Sequence, residues 1–177
     1  MASPARRNRL DAVIFDLDGT LWDATEPVAR AWNRVLEAEG LARRLTLPEV
    51  RGVAGMTQGA LFSRLLPDLQ RGERLRIAQS CVAAEDAELD AYPAPPYGGV
   101  RALLAHLHGR HRLFIVSNCQ QGYIERFLRA SRLKGLFNGH LCHGDTGLSK
   151  AETLRRLLRQ HHIGQTVYIG DTALDQW

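Results

Sequence analysis

Cysteine is scarce in this 177-residue chain, and its scarcity argues against the small disulfide-rich proteins of oxidising compartments. The three cysteines, Cys81, Cys119 and Cys142, are an odd number and follow no regular spacing. Disulfide frameworks use paired cysteines, so none is expected here, and a reducing compartment fits better. We therefore expect a cytoplasmic protein.

Long hydrophobic runs are also absent. No apolar run approaches the roughly 20 residues that a membrane-spanning helix needs. Residues 1–9 are polar and basic, and no long apolar segment follows them, so a secretory signal is not expected. These patterns predict a protein with no membrane partner.

Charge of one sign does not dominate either. The chain has 23 basic and 19 acidic residues, a formal net charge of +4, and the two signs are mixed along the sequence. Basic pairs such as Arg43-Arg44 and Arg155-Arg156 lie in helical patterns, which favours solvated helix faces over a nucleic-acid site. A basic surface also attracts anionic metabolites, so charge alone does not identify a partner.

Four short apolar runs rich in β-forming residues have the pattern of buried strands. From the second run onward they alternate with helical patterns, which predicts a Rossmann-like α/β fold with a mainly parallel sheet and helices on both faces. The runs are Ala12–Phe15, Leu113–Val116, Gly139–His143 and Thr166–Ile169.

Between Trp22 and Asp90 the pattern is helical throughout. Apolar residues recur at helical spacing after Pro27, and Thr46-x-x-Glu49 has the spacing of a capping box. Residues 92–99 are rich in proline and glycine and mark a linker. We therefore predict an α/β core at 1–21 and 95–177, with an all-helical cap at 22–94 inserted after the first strand.

Three of the predicted strands end in polar clusters. Residues 16–20 read Asp-Leu-Asp-Gly-Thr, Ser117 and Asn118 follow the second run, and residues 170–175 read Gly-Asp-Thr-Ala-Leu-Asp. Lys150 stands at the start of a predicted helix. Because ligands of such sheets bind outside the carboxyl ends of the strands, these residues are predicted to form one site.

Each of these residue types has a function in phosphoryl transfer. A carboxylate such as Asp16 can attack phosphorus and form an aspartyl-phosphate, and Asp18 can protonate the leaving oxygen and later activate water. Ser117 and Lys150 can bind the transferring oxygens, and Gly19 lets the backbone present N–H groups to phosphate. Converging carboxylates and a phosphate suit Mg²⁺.

These four motifs, in this order, resemble those of the haloacid dehalogenase superfamily. The D-x-D-x-T motif matches residues 16–20, the serine after an apolar strand matches Ser117, the motif-three lysine matches Lys150, and the acidic pair matches Asp171 and Asp175. With the helical insert, the chain looks most like the phosphoglycolate-phosphatase-like branch. The resemblance implies a Mg²⁺-dependent hydrolase of a small phosphorylated metabolite, acting through an aspartyl-phosphate.

The resemblance also assigns roles to individual residues. Asp16 would be nucleophile and metal ligand, Asp18 acid/base and a ligand through its backbone carbonyl, and Asp171 a further ligand. Asp175 would support the metal site or Lys150. The residues expected to bind substrate are Gly19, Thr20, Asn118 and Arg51.

Arg51 opens a glycine-rich segment, residues 51–57, between two cap helices. Relatives use such a loop to select substrates, so Arg51 could meet a carboxylate or a second phosphate. An ordinary helix–helix turn with a solvated arginine is the alternative reading.

Other functions within and outside this superfamily stay open at this point. A phosphosugar mutase keeps both aspartates and is the alternative enzyme, whereas Asp18 argues against halide release. Relatives continue past the fourth motif, but this sequence stops at Trp177, so we expect a shortened core with the strand ending at Ile169 at a sheet edge. A weakly active relative that binds a phosphorylated metabolite or a protein is the third possibility.

Overall fold

A computed structural model of the protein describes residues 10–172. Four parallel strands form one sheet in the order β3-β2-β1-β4. The strands are β1 (Ala12–Phe15), β2 (Arg112–Ser117), β3 (Gly139–Cys142) and β4 (Thr166–Ile169). This arrangement confirms the predicted parallel α/β sheet.

Alternate residues of the two central strands face opposite sides of the sheet, as the two-residue period of a strand requires. Val13 and Phe15 join a large buried cluster that also contains cap residues, while Ala12 and Ile14 join a smaller cluster with Leu157 of the helix preceding β4. The central strands are therefore buried on both faces, and helices cover both sides of the sheet.

Eight α-helices and one 3₁₀ turn, at Lys134–Leu136, surround the sheet in the part of the chain that the structure describes. Four of these helices lie in sequence between β1 and the helix that begins at Val100. Across residues 10–172, no helix is both long and apolar enough to cross a bilayer. The helices are α1 (Thr25–Ala38), α2 (Leu47–Arg51), α3 (Gln58–Leu65), α4 (Arg71–Ala91), α5 (Val100–His108), α6 (Tyr123–Ser131), α7 (His143–Thr146) and α8 (Lys150–Gln160).

Local capping explains several of these boundaries. The predicted capping box of Thr46 with Glu49 forms at α2, and a second one, of Ser149 with Glu152, forms at α8. Thr57 precedes α3, but its side chain makes no capping bond. The predicted third strand ends one residue early, because the Asp145 carboxylate accepts the Cys142 N–H at 2.9 Å and His143 begins α7.

The cap helices pack mainly through α1 against α4. Trp32 of α1 contacts the ring of Phe62 at 5.0 Å between centroids, and its indole N–H donates to Glu85 of α4 at 2.8 Å. Arg126 of α6 forms ion pairs with Asp86 and Asp90 of α4, which link the helical block to the α/β part. The division into a core and a cap with the predicted boundaries stays a proposal.

The strand β4 lies at one edge of the sheet. It pairs with β1 alone among the described strands, and its side chains Val167 and Ile169 are 42% and 38% exposed. Among the four described strands, β4 therefore has the edge position expected from the sequence.

Candidate functional site

Asp16 directly follows β1 and therefore lies at the carboxyl edge of the sheet, where it is fully buried. The Lys150 ammonium donates to Asp16 Oδ2 at 2.7 Å, and the Leu17 N–H donates to Oδ1 at 2.8 Å. Both side chains are nearly inaccessible, at 0% and 3% exposure. A buried carboxylate of this kind is stable because a cation and hydrogen bonds compensate its charge.

Lys150 reaches Asp16 because α8 begins at this edge of the sheet. The capping box of Ser149 fixes the first turn of α8, and the ammonium also lies 5.3 Å from the centre of the Tyr168 ring in β4. The structure therefore brings together two residues separated by 134 positions in the sequence.

Asp18 lies beside Asp16 on a turn that closes immediately after β1. Its Oδ1 accepts hydrogen bonds from Trp22 Nε1 at 2.9 Å and from the Tyr123 hydroxyl at 3.0 Å. Burial, together with the nearby charges of Asp16 and then Asp171, raises the pKa of the Asp18 carboxyl to about 7. A carboxyl group that titrates near neutrality can both give and take a proton at neutral pH.

Gly19 lies directly against Asp171 at the end of β4. Its φ of +79° belongs to the left-handed region, and a Cβ added there would stand 2.2 Å from Asp171 Oδ2. The Thr20 hydroxyl donates to Asp171 Oδ1 at 3.1 Å. A glycine is therefore required at this position for the first and fourth motifs to meet.

The second motif borders the same space. Ser117 is buried at the end of β2 and lines the cavity above Asp18. The Asn118 amide donates to the backbone oxygen of Gly55 at 2.8 Å, which ties the end of β2 to the segment between α2 and α3. A Cβ at Gly55 would lie 4.0 Å from Asp16 Oδ2, so this cap segment reaches over the strand edge.

One further predicted residue stands apart from the buried pair. Arg51 lines the cavity, but its side chain is 63% exposed and its Nη2 lies 3.1 Å from Asp23 Oδ2. Asp175 lies outside the described residues. The structure thus gathers Asp16, Asp18, Lys150 and Asp171 with the ends of β1, β2 and β4, and leaves Arg51 at the rim.

A cavity of about 220 Å³ opens above these residues and continues into the cap. Asp18, Ser117 and Asp171 line its core end, and residues of α1 to α4 line its other end. This volume is below the roughly 300–1,000 Å³ of pockets for drug-sized ligands, so the cavity suits a small ligand.

Three residues of the site have no role in the sequence prediction: Trp22, Tyr123 and Glu85. The first two hold the Asp18 carboxylate. Glu85 lines the cavity from α4, accepts from Trp32 and Gln120, and burial raises its pKa to about 7. Trp22 lies four residues after Asp18, but no local pattern pairs Tyr123 or Glu85 with the site.

The donor atoms at the core end suit a hard divalent cation. Asp16 and Asp171 offer carboxylate oxygens, and Asp18 offers a backbone carbonyl, which matches the preference of Mg²⁺ for oxygen and for one or two protein carboxylates. Among residues 10–172, no three acidic, histidine or cysteine side chains cluster as metal ligands.

Comparison with known families is decisive for the fold family. The family model described as haloacid dehalogenase-like hydrolase matches residues 13–176. The chain belongs to the haloacid dehalogenase-like hydrolase family. The resemblance inferred from the four motifs is thereby confirmed.

Individual relatives of this haloacid dehalogenase-like chain agree with that assignment. A phosphoglycolate phosphatase of Cereibacter sphaeroides is 34% identical over 105 residues, which cover 56% of this chain and 46% of that protein. The match therefore spans less than half the length of this relative.

Solved structures extend the likeness of fold over most of the chain. A predicted phosphoglycolate phosphatase from Haemophilus somnus covers 94% of this chain and 79% of its own, with a TM-score of 0.84 and 20% identity. CbbY from Rhodobacter sphaeroides, solved in complex with phosphate, covers 93% and 79%, with a TM-score of 0.78 and 20% identity. At 20% sequence identity, these two structures support a shared fold alone.

Proposed function

We propose that this chain is a Mg²⁺-dependent phosphatase that hydrolyses a small phosphate monoester through an aspartyl-phosphate on Asp16. One observation carries the proposal: a fully buried aspartate at a strand end is bonded to a buried lysine at 2.7 Å, and a second aspartate two residues later lines a small cavity. Family membership agrees with a hydrolase, and the curated relative named for phosphoglycolate supports a phosphatase.

In the first half of the reaction, a carboxylate oxygen of Asp16 attacks phosphorus and the bond to the ester oxygen breaks. Protonated Asp18 gives its proton to that oxygen, so a neutral alcohol leaves. Lys150 and Ser117 bind the phosphoryl oxygens, and their positive charge and hydrogen bonds stabilise the charge that develops there. Asn118, Gly19 and Thr20 shape the surrounding backbone.

In the second half, the Asp18 carboxylate takes a proton from water as that water attacks phosphorus. The bond between phosphorus and Asp16 then breaks, which releases inorganic phosphate and restores both aspartates. Asp16, the backbone carbonyl of Asp18, and Asp171 would hold Mg²⁺, and Asp175 belongs to the same proposed set. When bound, the ion supplies positive charge that offsets repulsion between the carboxylates and the phosphate.

Phosphate release from p-nitrophenyl phosphate, measured with Mg²⁺ and with EDTA, tests the proposal. We expect release to need Mg²⁺ and to fall at least about a thousand-fold in Asp16→Asn, because the amide is a poor nucleophile. Asp68→Asn, on an exposed turn residue, is the matched control and should retain full activity. Undiminished release by Asp16→Asn would disprove the nucleophile assignment.

The same phosphate-release measurement, with a sugar phosphate as the substrate, separates hydrolysis from the alternative of phosphoryl transfer. A mutase would return the phosphoryl group to a sugar phosphate and release little inorganic phosphate. The cytoplasmic location and the lack of nucleic-acid and membrane partners, expected from the composition, stay predictions.

A further inference from the structure

The cap end of the cavity differs in character from the end that holds Asp18 and Ser117. Its wall is formed mainly by hydrocarbon and aromatic side chains from all four cap helices and the segment after α2. Trp32 and Phe62 line it in ring contact, with 5.0 Å between centroids. Other side chains of this apolar wall include Val28, Val50, Val53 and Val82.

Charge in the cavity is mostly negative. Among the described residues that line it, four are acidic and one, Arg51, is cationic. The guanidinium of Arg51 already lies against Asp23 at 3.1 Å, and the side chain is largely in solvent. An anionic group on a ligand would therefore compete with Asp23 for the cation.

Polar donors around the cavity are directed to protein carboxylates. Trp32 Nε1 and Gln120 Nε2 donate to the two oxygens of Glu85, at 2.8 and 2.9 Å. The Tyr123 hydroxyl donates to Asp18. A second anion on a ligand would face Glu85 and Asp23, and burying an anion without compensation is costly.

We infer that the site takes phosphate monoesters whose alcohol part is short, neutral and apolar, such as a small alkyl or aryl group, in preference to esters with a second anionic group. The inference rests on the proposed function, which puts the phosphoryl group at the core end. The apolar wall would then bury the alcohol part, and the volume of about 220 Å³ limits its size.

Binding of phosphonates, which cannot be hydrolysed, tests the inference without relying on turnover. Butylphosphonate and 3-phosphonopropionate have nearly the same length, but the second ends in a carboxylate. Calorimetric titration in Mg²⁺ should give at least about ten-fold tighter binding of butylphosphonate, because each buried methylene favours binding roughly four-fold.

A lining variant locates the effect. Val82→Thr puts a hydroxyl into the apolar wall at nearly constant shape and should weaken butylphosphonate binding about three- to ten-fold, with little effect on inorganic phosphate. Val167→Thr, the same substitution on the exposed edge strand, is the matched control and should change neither affinity. Equal effects of the two variants would overturn the role of the wall.

Hydrolysis of butyl phosphate and phosphoglycolate completes the test. The inference is overturned if 3-phosphonopropionate binds as tightly as butylphosphonate, or if butylphosphonate does not bind. If the binding order holds and no ester is hydrolysed, the proposed function fails, but the inferred preference for a neutral apolar group in binding stands. If phosphoglycolate is hydrolysed faster than butyl phosphate and 3-phosphonopropionate binds more tightly than butylphosphonate, the proposed function stands and the inference fails.

Discussion

Two buried carboxylates, Asp16 at the end of β1 and Glu85 in the cap end of the cavity, differ in how the fold compensates them. Asp16 is bonded to a cation, Lys150, at 2.7 Å. Glu85 accepts from two neutral donors, Trp32 and Gln120. Burial accordingly raises the pKa of Glu85 to about 7.

The difference indicates that the core end and the cap end of the site have different functions. The core end holds charges in fixed pairs, which suits the charge that develops in phosphoryl transfer. The cap end surrounds a weakly compensated carboxylate with apolar side chains, which suits a neutral ligand group. Substitutions at one end should therefore have effects that differ from those of substitutions at the other.

The largest effect is expected from removing the cation at the core end. Lys150→Met leaves the Asp16 carboxylate buried without its ammonium partner, and we expect the free energy of unfolding to fall by about 4 kcal/mol. Asp16→Asn added to this variant should restore part of that loss, because no buried charge then remains uncompensated. Urea unfolding in EDTA measures both changes.

Lys134→Met is the matched control, because Lys134 is the other lysine of the sequence and lies in an exposed 3₁₀ turn. It should change the free energy of unfolding by less than about 0.5 kcal/mol. Equal stability of the two methionine variants would contradict the importance of the buried pair.

At the cap end the expected effect has the opposite sign. The pKa of Glu85 is raised from an ordinary 4.5 to about 7, so between these values the folded protein binds more protons than the unfolded chain. The contribution of Glu85 to stability is present below pH 4.5 and is lost as the pH rises to about 7. At pH 8, Glu85→Gln should therefore be more stable than the wild type, by up to about 3 kcal/mol.

Glu88, one turn further along α4, provides the contrast. Hydrogen bonds from Arg34, followed by those from Arg30, lower the pKa of Glu88, so its contribution is present above the ordinary pKa and lost as the pH falls. Glu88→Gln should lose about 1 kcal/mol at pH 8. Thermal or urea unfolding across pH 4 to 8 measures the stability of both variants. If Glu85→Gln and Glu88→Gln changed stability in the same direction at pH 8, the contrast between the two carboxylates would be contradicted.

A glycine pair tests the contact between the first and fourth motifs. Gly19→Ala introduces a Cβ 2.2 Å from Asp171 Oδ2, so Asp171 must move. We expect kcat/KM to fall roughly ten- to hundred-fold and the Mg²⁺ concentration for half-maximal activity to rise, because a proposed ligand is displaced. Initial rates over a Mg²⁺ titration give both values.

Gly40→Ala separates that collision from backbone strain. Gly40 has a similar φ of +71°, but no atom lies within 4 Å of its added Cβ. Both variants should lose about 1–2 kcal/mol of stability from the left-handed backbone, and only Gly19→Ala should lose activity. Loss of activity in both would assign the effect to strain alone.

The two ends of the cavity also differ in how far the sequence predicts them. The core end follows from strand-end motifs, because parallel strands carry their carboxyl ends to one edge and so bring the first and fourth motifs together. The pairing of Asp16 with Lys150 depends on this topology and on the capping box at Ser149, both of which are readable from sequence.

The cap end depends on tertiary packing that no local pattern encodes. Glu85 lies in α4, within the stretch predicted to be helical, yet its burial depends on how α4 packs against Trp32 of α1 and Gln120 after β2. The hydrogen bond from Tyr123 to Asp18 likewise joins positions 105 residues apart. Periodicity gives the face of a helix but not the residue that it meets.

The smallest expected effect concerns that hydrogen bond. Tyr123→Phe keeps the ring, which packs against Trp22, and removes the hydroxyl that donates to Asp18 at 3.0 Å. We expect kcat/KM to fall about three- to ten-fold, since one hydrogen bond to a charged group contributes on the order of 1–2 kcal/mol. Tyr92→Phe, on an exposed tyrosine, should leave the rate unchanged.

The choice of ester makes this last prediction specific to acid catalysis by Asp18. An alkyl alcohol must be protonated as it leaves, whereas p-nitrophenolate leaves without a proton. If Tyr123 positions the Asp18 carboxyl for proton transfer, the loss in Tyr123→Phe should be greater for butyl phosphate than for p-nitrophenyl phosphate. The same loss for both esters would mean that the hydroxyl serves the packing of the cavity and not the proton transfer.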